Sequence, residues 1–301
     1  MKENIKSNTK DKLEGNIKTN LKGNLEITPK RDIVFKRIFG AKGNEGILKD
    51  FLESILDIEI ESLELDLSTE MLPEFYDVKK SRIDVRVRFL DGTEVNVEMQ
   101  MDVSKYDEKR CMYYWSKIYS NTLEEKEEYA QLRKTICIWI LNGRKYNEFK
   151  DFHSKWKMMD CKYKKEGDFG DIEIHVIELK KLRETGIMKP TKKEFWLWFI
   201  DHTNEELVKM ASISNEKIEK AREELEKIRG DKELMHRILL QELAERDEIT
   251  ALAKAEEKGI EKGKLEKAKE TARLMLKKGM KIELIEEVTG LSREEIEELE
   301  Q

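Results

Sequence analysis

The stretch from Ser81 to Met101 constrains the chain more than any other, because polar and apolar residues alternate through it with a strict period of two. Ile83, Val85, Val87 and Phe89 interleave with Arg82, Asp84, Arg86 and Arg88. Beyond Leu90-Asp91-Gly92 the pattern resumes, with Val95, Val97, Met99 and Met101 set between Glu94, Asn96, Glu98 and Gln100. Period two marks a strand with one apolar face, and two such runs joined across a glycine predict a β-hairpin. One face is expected to join a core and the other to carry chemistry or meet water.

The register follows from the pattern. Residues paired across antiparallel strands point the same way, so a two-residue turn at Asp91-Gly92 would set valines against charges. A three-residue loop, Leu90-Asp91-Gly92, with Gly92 left-handed after a type I turn, pairs Val87 with Val95 and Val85 with Val97. It also sets Asp84 opposite Glu98. Such side chains have Cβ atoms about 5 Å apart, near enough for two carboxylates to share a hard cation and too near for both to ionise cheaply without one. Asp84 and Glu98 are therefore a candidate Mg2+ site, since magnesium takes oxygen ligands, accepts one or two carboxylates and keeps water elsewhere; other divalent cations are compatible. A water on such an ion can become the nucleophile for phosphodiester hydrolysis. Gln100 shares the face of Glu98 and is placed to orient that water or the phosphate. The alternative is a solvated sheet face on which Arg86, Arg88 and Glu94 make weak surface pairs.

Composition narrows the setting. Charged residues make up 41% of the 301 positions, which favours one core domain with a helical extension over a single large core. The formal charge of −6 is unevenly spread, with residues 1–200 near neutral and about seven excess acids beyond them, so any nucleic-acid contact must be local. Cys111, Cys137 and Cys161 form no Cys-x-x-Cys pair, which argues against disulfides and structural zinc and fits a reducing cytoplasm. No apolar run reaches the roughly 20 residues that span a bilayer, so no membrane partner is expected.

Residues 1–26 are rich in lysine and asparagine and are expected to form a mobile tail or frayed helix. Residues 27–202 carry the core-forming segments. Apolar residues from Ile33 to Phe39, after Pro29, and from Ile47 to Leu56 predict two helices. Ile58 to Leu67 reads as a first strand and the hairpin as the second and third. Tyr106 to Leu123 predicts an aromatic-rich helix. Lys134 to Leu141 predicts a strand buried on both faces, Asp171 to Leu179 a later strand, and Phe195 to Ile200 a segment apolar all round. Residues 203–301 are nearly continuous helix-former, with breaks expected at Gly230, Gly259, Gly263, Gly279 and Gly290.

This order of elements, with Asp84 on one strand and Glu98-Met99-Gln100 on the next, resembles the PD-(D/E)XK nuclease superfamily. Thr28-Pro-Lys-Arg-Asp-Ile-Val-Phe-Lys-Arg-Ile-Phe-Gly40, the hairpin, and Arg110-Cys-Met-Tyr-Tyr-Trp-Ser-Lys-Ile-Tyr119 are similar to the bacterial recombination-promoting nuclease and transposase family. The resemblance covers roughly residues 28 to 200 and extends to the tail. It implies an α/β, restriction-endonuclease-like fold: a mixed central sheet flanked by helices, then an all-helical extension. It further implies a Mg2+-dependent DNA endonuclease in which Asp84, Glu98 and the backbone carbonyl of Met99 hold the metal and Gln100 stands at the last motif position. Asp32, on the first helix, is the position from which related nucleases often bring an extra acid; on residue type alone it is equally a favourable charge in a first helical turn.

Two positions depart from the superfamily pattern. Ile83 stands where a proline is common. Gln100 replaces the usual lysine, and a glutamine orients by hydrogen bonding but lends no positive charge. That loss motivates the rival reading, an inactive nuclease scaffold serving as an interaction or oligomerisation module. Arg110, Tyr113 and Tyr114 are placed to meet a nucleic-acid strand, with core packing the favoured role of the tyrosines. Met280 to Leu299 has a helix-turn-helix layout with a capping box at Ser292 and Glu295. Its second helix carries Glu294, Glu295, Glu297 and Glu298, which phosphate would repel, so homo-oligomerisation through the C-terminal helices is favoured there over DNA contact.

Overall fold

A computed structural model describes residues 27–66, 85–101, 103, 107–123, 125–165, 169–186 and 189–299. The expected N-terminal tail, residues 1–26, lies outside the described residues. The chain forms two compact units that part between Met235 and His236.

In the first unit the elements run α1 (Asp32–Phe39), α2 (Glu45–Leu56), β1 (Leu63–Leu65), β2 (Val85–Phe89), β3 (Glu94–Gln100), α3 (Asp107–Ser120), β4 (Thr135–Leu141), β5 (His153–Lys157), β6 (Ile172–Glu178), α4 (Leu179–Glu184) and α5 (Lys192–Asp201). Helices α6 (Glu205–Ser214) and α7 (Glu216–Gly230) follow. The six strands form one mixed sheet in the order β1-β2-β3-β4-β6-β5. The first three pair antiparallel, β4 joins β3 and β6 in parallel, and β5 closes the far edge antiparallel to β6. The chain thus has the α/β mixed-sheet architecture expected of it.

The hairpin keeps the register its alternation dictates: Val87 pairs with Val95 and Val85 with Val97. Gly92 is the left-handed residue, at φ +84°, and its N–H donates to Phe89 O at 2.9 Å. Asp91 Oδ1 accepts from Thr93 N at 2.8 Å, which ties down the loop. Gly92→Ala is expected to cost about 1–2 kcal/mol, because an L-residue pays that much at this φ. A Cβ there would also lie 3.0 Å from Arg133 Cδ. Urea denaturation of the variant against wild type checks the figure.

Two expectations are corrected and one strand is added. The segment from Ile58 yields only Leu63–Leu65 as strand among the described residues, because Ile60 turns its N–H to Glu53 Oε1 at 3.1 Å instead of to a ladder. Pro29 sits in the turn closed by Arg31 N to Thr28 O, ahead of α1, not within its first turn. Strand β5, His-Ser-Lys-Trp-Lys, had no counterpart in the sequence reading; an edge strand needs little apolar character.

One sheet face holds Val95, Val97 and Met99 of β3 in register with Ile136, Ile138 and Ile140 of β4. On this side α1, α2 and α5 share an aromatic cluster of Phe35, Phe39, Phe51, Trp196 and Phe199. A Cβ on Gly40, at the end of α1, would lie 3.4 Å from Val85 Cγ2, which seats that helix on the valine face. The other face aligns Asn96 with Cys137, Glu98 with Trp139 and Gln100 with Leu141. Cys111 and Trp115 of α3 pack there with Cys137, Trp139, Leu141 and Val176. Burial of apolar area on both faces, at roughly 25 cal/mol per Å2, holds the sheet between its helix layers. Helices α6 and α7 are capped by Asn204 and Asn215 and bury Val208, Ala211, Ile218, Ala221, Leu225 and Ile228.

Helix α8 (Lys232–Lys277) leads into the second unit. It passes unbroken through Gly259 and Gly263, contrary to the breaks expected there. A mid-helix glycine costs about 1 kcal/mol, too little to end a helix formed from strong helix-formers on either side. The breaks at Gly230, Gly279 and Gly290 are present, the last two with positive φ. Helices α9 (Ile282–Thr289) and α10 (Arg293–Glu298) then bury Ile285, Leu291 and Ile296 with Ala272 of α8. The capping box forms: Glu295 N donates to Ser292 Oγ at 3.3 Å and Ser292 N to Glu295 Oε2 at 2.9 Å. No helix among the described residues is long and apolar enough to cross a membrane.

Candidate active site

Much of the hairpin's polar face is buried, where solvent exposure was the alternative, although Arg88 stays exposed. Glu94, Asn96 and Glu98 are 1%, 1% and 5% exposed. Glu94 is clasped by two arginines, with Arg86 Nε at 3.0 Å and Arg88 Nε at 2.6 Å, and Arg86 also reaches Asp66 at 3.3 Å. A buried carboxylate held this way is a structural group. It contrasts with Glu98, two rungs further along the same face.

Glu98 accepts a hydrogen bond from Asn96 Nδ2 at 3.2 Å, a neutral donor at the long end of the range. Burial pushes its carboxyl pKa up to about 7; Asn96, Arg110 and Lys36 draw it down, and the neighbouring charge of Asp32 raises it. Asp32 of α1 is thus among the charges that Glu98 feels. Asp32 itself pairs with Lys36 at 2.8 Å. A buried carboxylate so weakly compensated is the donor a divalent cation would satisfy, so the residues present fit the metal.

Gln100 is half-buried at the end of β3, and its Oε1 accepts from Arg110 Nη2 of α3. The Arg110 guanidinium lies over the Trp139 ring, 5.6 Å from its centroid. Asn96 Oδ1 and Arg110 Nε are buried without a hydrogen-bond partner among the described residues. Met99 occupies the middle of the motif with its side chain buried. Asp84, the partner expected opposite Glu98, lies outside the described residues, as does Ile83. Among the described residues no three His, Cys, Asp or Glu side chains form a metal cage. Of the two tyrosines, Tyr114 is in the core and Tyr113 is exposed.

Residues 29–255 match the family described as PD-(D/E)XK nuclease family transposase. The chain belongs to this family. Residues 265–301 match a second description, the Rpn/YhgA-like nuclease family C-terminal HTH domain, which coincides with the α8 end, α9 and α10. No curated protein and no solved structure matches the chain. The recognised resemblance is thereby established, and the fold belongs to a nuclease group associated with transposition and recombination.

Within this nuclease domain, sequence reasoning overlooked Asn96 and Trp139. Asn96 could have been found, since it precedes Glu98 by two and so shares its face. Trp139 sits in a run apolar throughout, and nothing local marks it as the platform for an arginine from another element. A second buried polar group lies on the opposite sheet face: His175 joins Glu173 at 2.8 Å and His153 at 2.9 Å, with Lys155 and Lys134 also on Glu173. This network pins β5 to β6.

Proposed function

We propose that the protein is a divalent-metal-dependent DNA endonuclease whose ligands are Asp84, Glu98 and the backbone carbonyl of Met99. The carrying observation is Glu98, a buried carboxylate near Asn96, Gln100 and Arg110 that, among the described residues, has no close cationic clasp like that on Glu94. Its partner is inferred from sequence: the described register ends at Val85 opposite Val97, and Asp84 and Glu98 are the next residues along the chain on either side. Bound there, Mg2+ or a similar cation supplies charge neutralisation for the phosphate and an acidified water.

The chain's own residues do the rest. Glu98, held in place by packing on both faces of β3, would give its carboxylate to the cation. Gln100 offers a hydrogen bond to the reacting phosphate or water, and Asp32 adds a carboxylate from α1 at the margin of the site. The C-terminal helices bring copies of the chain together so that two strands can be addressed; the acidic α10 suits protein contact better than a DNA groove.

Nicking of supercoiled plasmid with Mg2+ tests this. Asp84→Ala and Glu98→Ala should each slow cleavage by at least about 100-fold, the scale of losing one charge-stabilising group. Undiminished cleavage in both would remove the site assignment. Linear product appearing cooperatively with protein concentration would accompany assembly, and strictly first-order single nicks would speak against it.

A further inference from the structure

An amide side chain is a two-ended group: its oxygen only accepts and its nitrogen only donates. Gln100 therefore offers the site opposite chemistry depending on which end is turned inward. Arg110 Nη2 donates to Gln100 Oε1, and a guanidinium has no acceptor with which to hold the other end. Arg110 is itself fixed, half-buried on α3 with its guanidinium over the Trp139 ring at 5.6 Å. Trp139 is in register with Glu98, which puts this platform one strand away from the carboxylate.

We propose that Arg110 is the positioning residue of this site, fixing the Gln100 amide so that its nitrogen donates to a non-bridging phosphate oxygen of the nucleic acid. The polarised Gln100 N–H, backed by a full positive charge, stands in for a cationic side chain at that position. Hydrogen-bond chains strengthen their members, so a charged donor on Oε1 makes the nitrogen a better donor to an anion. The inference rests on the nuclease reading of this site and deepens it by assigning the phosphate-contacting group and its orientation.

The chain has four glutamines, Gln100, Gln131, Gln241 and Gln301, so selective 15N-glutamine labelling of the full-length protein gives a readable side-chain amide spectrum. The Gln100 NH2 pair, identified by its loss in Gln100→Glu, should stand apart from the exposed amide of Gln131 and collapse toward it in Arg110→Met. An unmoved pair overturns the proposal. In the Mg2+ nicking assay Arg110→Met should lower kcat about 100-fold with KM for DNA within about threefold, the pattern of an interaction used in the transition state. Gln100→Ala with Arg110→Met should be no worse than Gln100→Ala alone within about threefold, since the two act as one unit. Gln100→Lys placed in Arg110→Met should restore most of the rate, because an ammonium needs no partner to present a donor. A raised KM with unchanged kcat, or additive losses, would make Arg110 an ordinary DNA contact and overturn the assignment. Arg110→Lys, which keeps the charge, serves where Arg110→Met melts early, and it should retain a single-donor fraction of the activity. An inert wild type would remove the nuclease reading, while the amide spectrum still decides the Arg110 pairing.

Discussion

Glu98→Gln is expected to stabilise the protein while abolishing cleavage. In EDTA at pH 8 folding must bury the Glu98 charge, since its pKa is pushed up to about 7 by burial and the carboxyl is ionised above that. Glutamine fills the same volume without the charge, and Asn96 Nδ2 can still donate to its oxygen. The gain should be on the order of 1–3 kcal/mol, the cost of a weakly compensated buried charge after relaxation. Thermal and urea melts of both proteins in EDTA measure it. Added Mg2+ should then raise the wild-type melting temperature and leave Glu98→Gln unmoved, because a ligand stabilises only the state that binds it. A Glu98→Gln variant less stable than wild type in EDTA would mean that Glu98 is a structural carboxylate like Glu94. A stabilising Glu98→Gln would carry the energetic signature of a functional site: a local choice that opposes stability and is retained for chemistry.

Glu94 and Glu98 also show where the sequence stops being legible. Both lie on the polar face of one strand, and period two places both correctly, along with the register and the left-handed Gly92. Alternation reports which residues share a face but not what covers it. The cover over Glu98 and Gln100 is α3, whose rotation over the sheet is decided by Cys111 and Trp115 packing on Cys137, Trp139 and Val176. The Arg110–Gln100 contact follows from that rotation, so no spacing rule within the hairpin could announce it. The family pattern reached Gln100 and read a missing charge; the tertiary structure brings an arginine to it. Conversely, Gly259 and Gly263 looked like breaks because propensity is a local quantity, whereas helix length is settled by the whole run of α8.

Asp201→Ala should be the most destabilising single change away from the site. Asp201 is fully buried at the end of α5 and accepts from Arg183 Nε at 3.0 and 3.1 Å, Arg183 Nη2 at 2.6 Å, Lys30 Nζ at 3.1 Å and the Thr203 hydroxyl. Removing the carboxylate strands Lys30, itself buried, beside Arg183 with no counter-charge there, a loss of about 3–5 kcal/mol. Burial alone would raise the Asp201 pKa, but Arg183, Thr203 and Lys30 outweigh it and hold the group below its ordinary value. A depressed folded-state pKa contributes stability that is present above the unfolded value near 4 and is lost as pH falls through the folded one. Wild type should therefore lose stability more steeply than Asp201→Asn on acidification below about pH 4, and urea midpoints at pH 7 and 3.5 read the difference. Equal acid sensitivity would show that the cluster is held by hydrogen bonds alone. The consequence reaches the proposed active site, because Lys30 lies in the turn that launches α1, two residues before Asp32. Asp201 thereby fixes the entry of the helix that carries Asp32 and Lys36 toward Glu98, and a variant that folds but loosens this anchor should lose cleavage more than it loses stability.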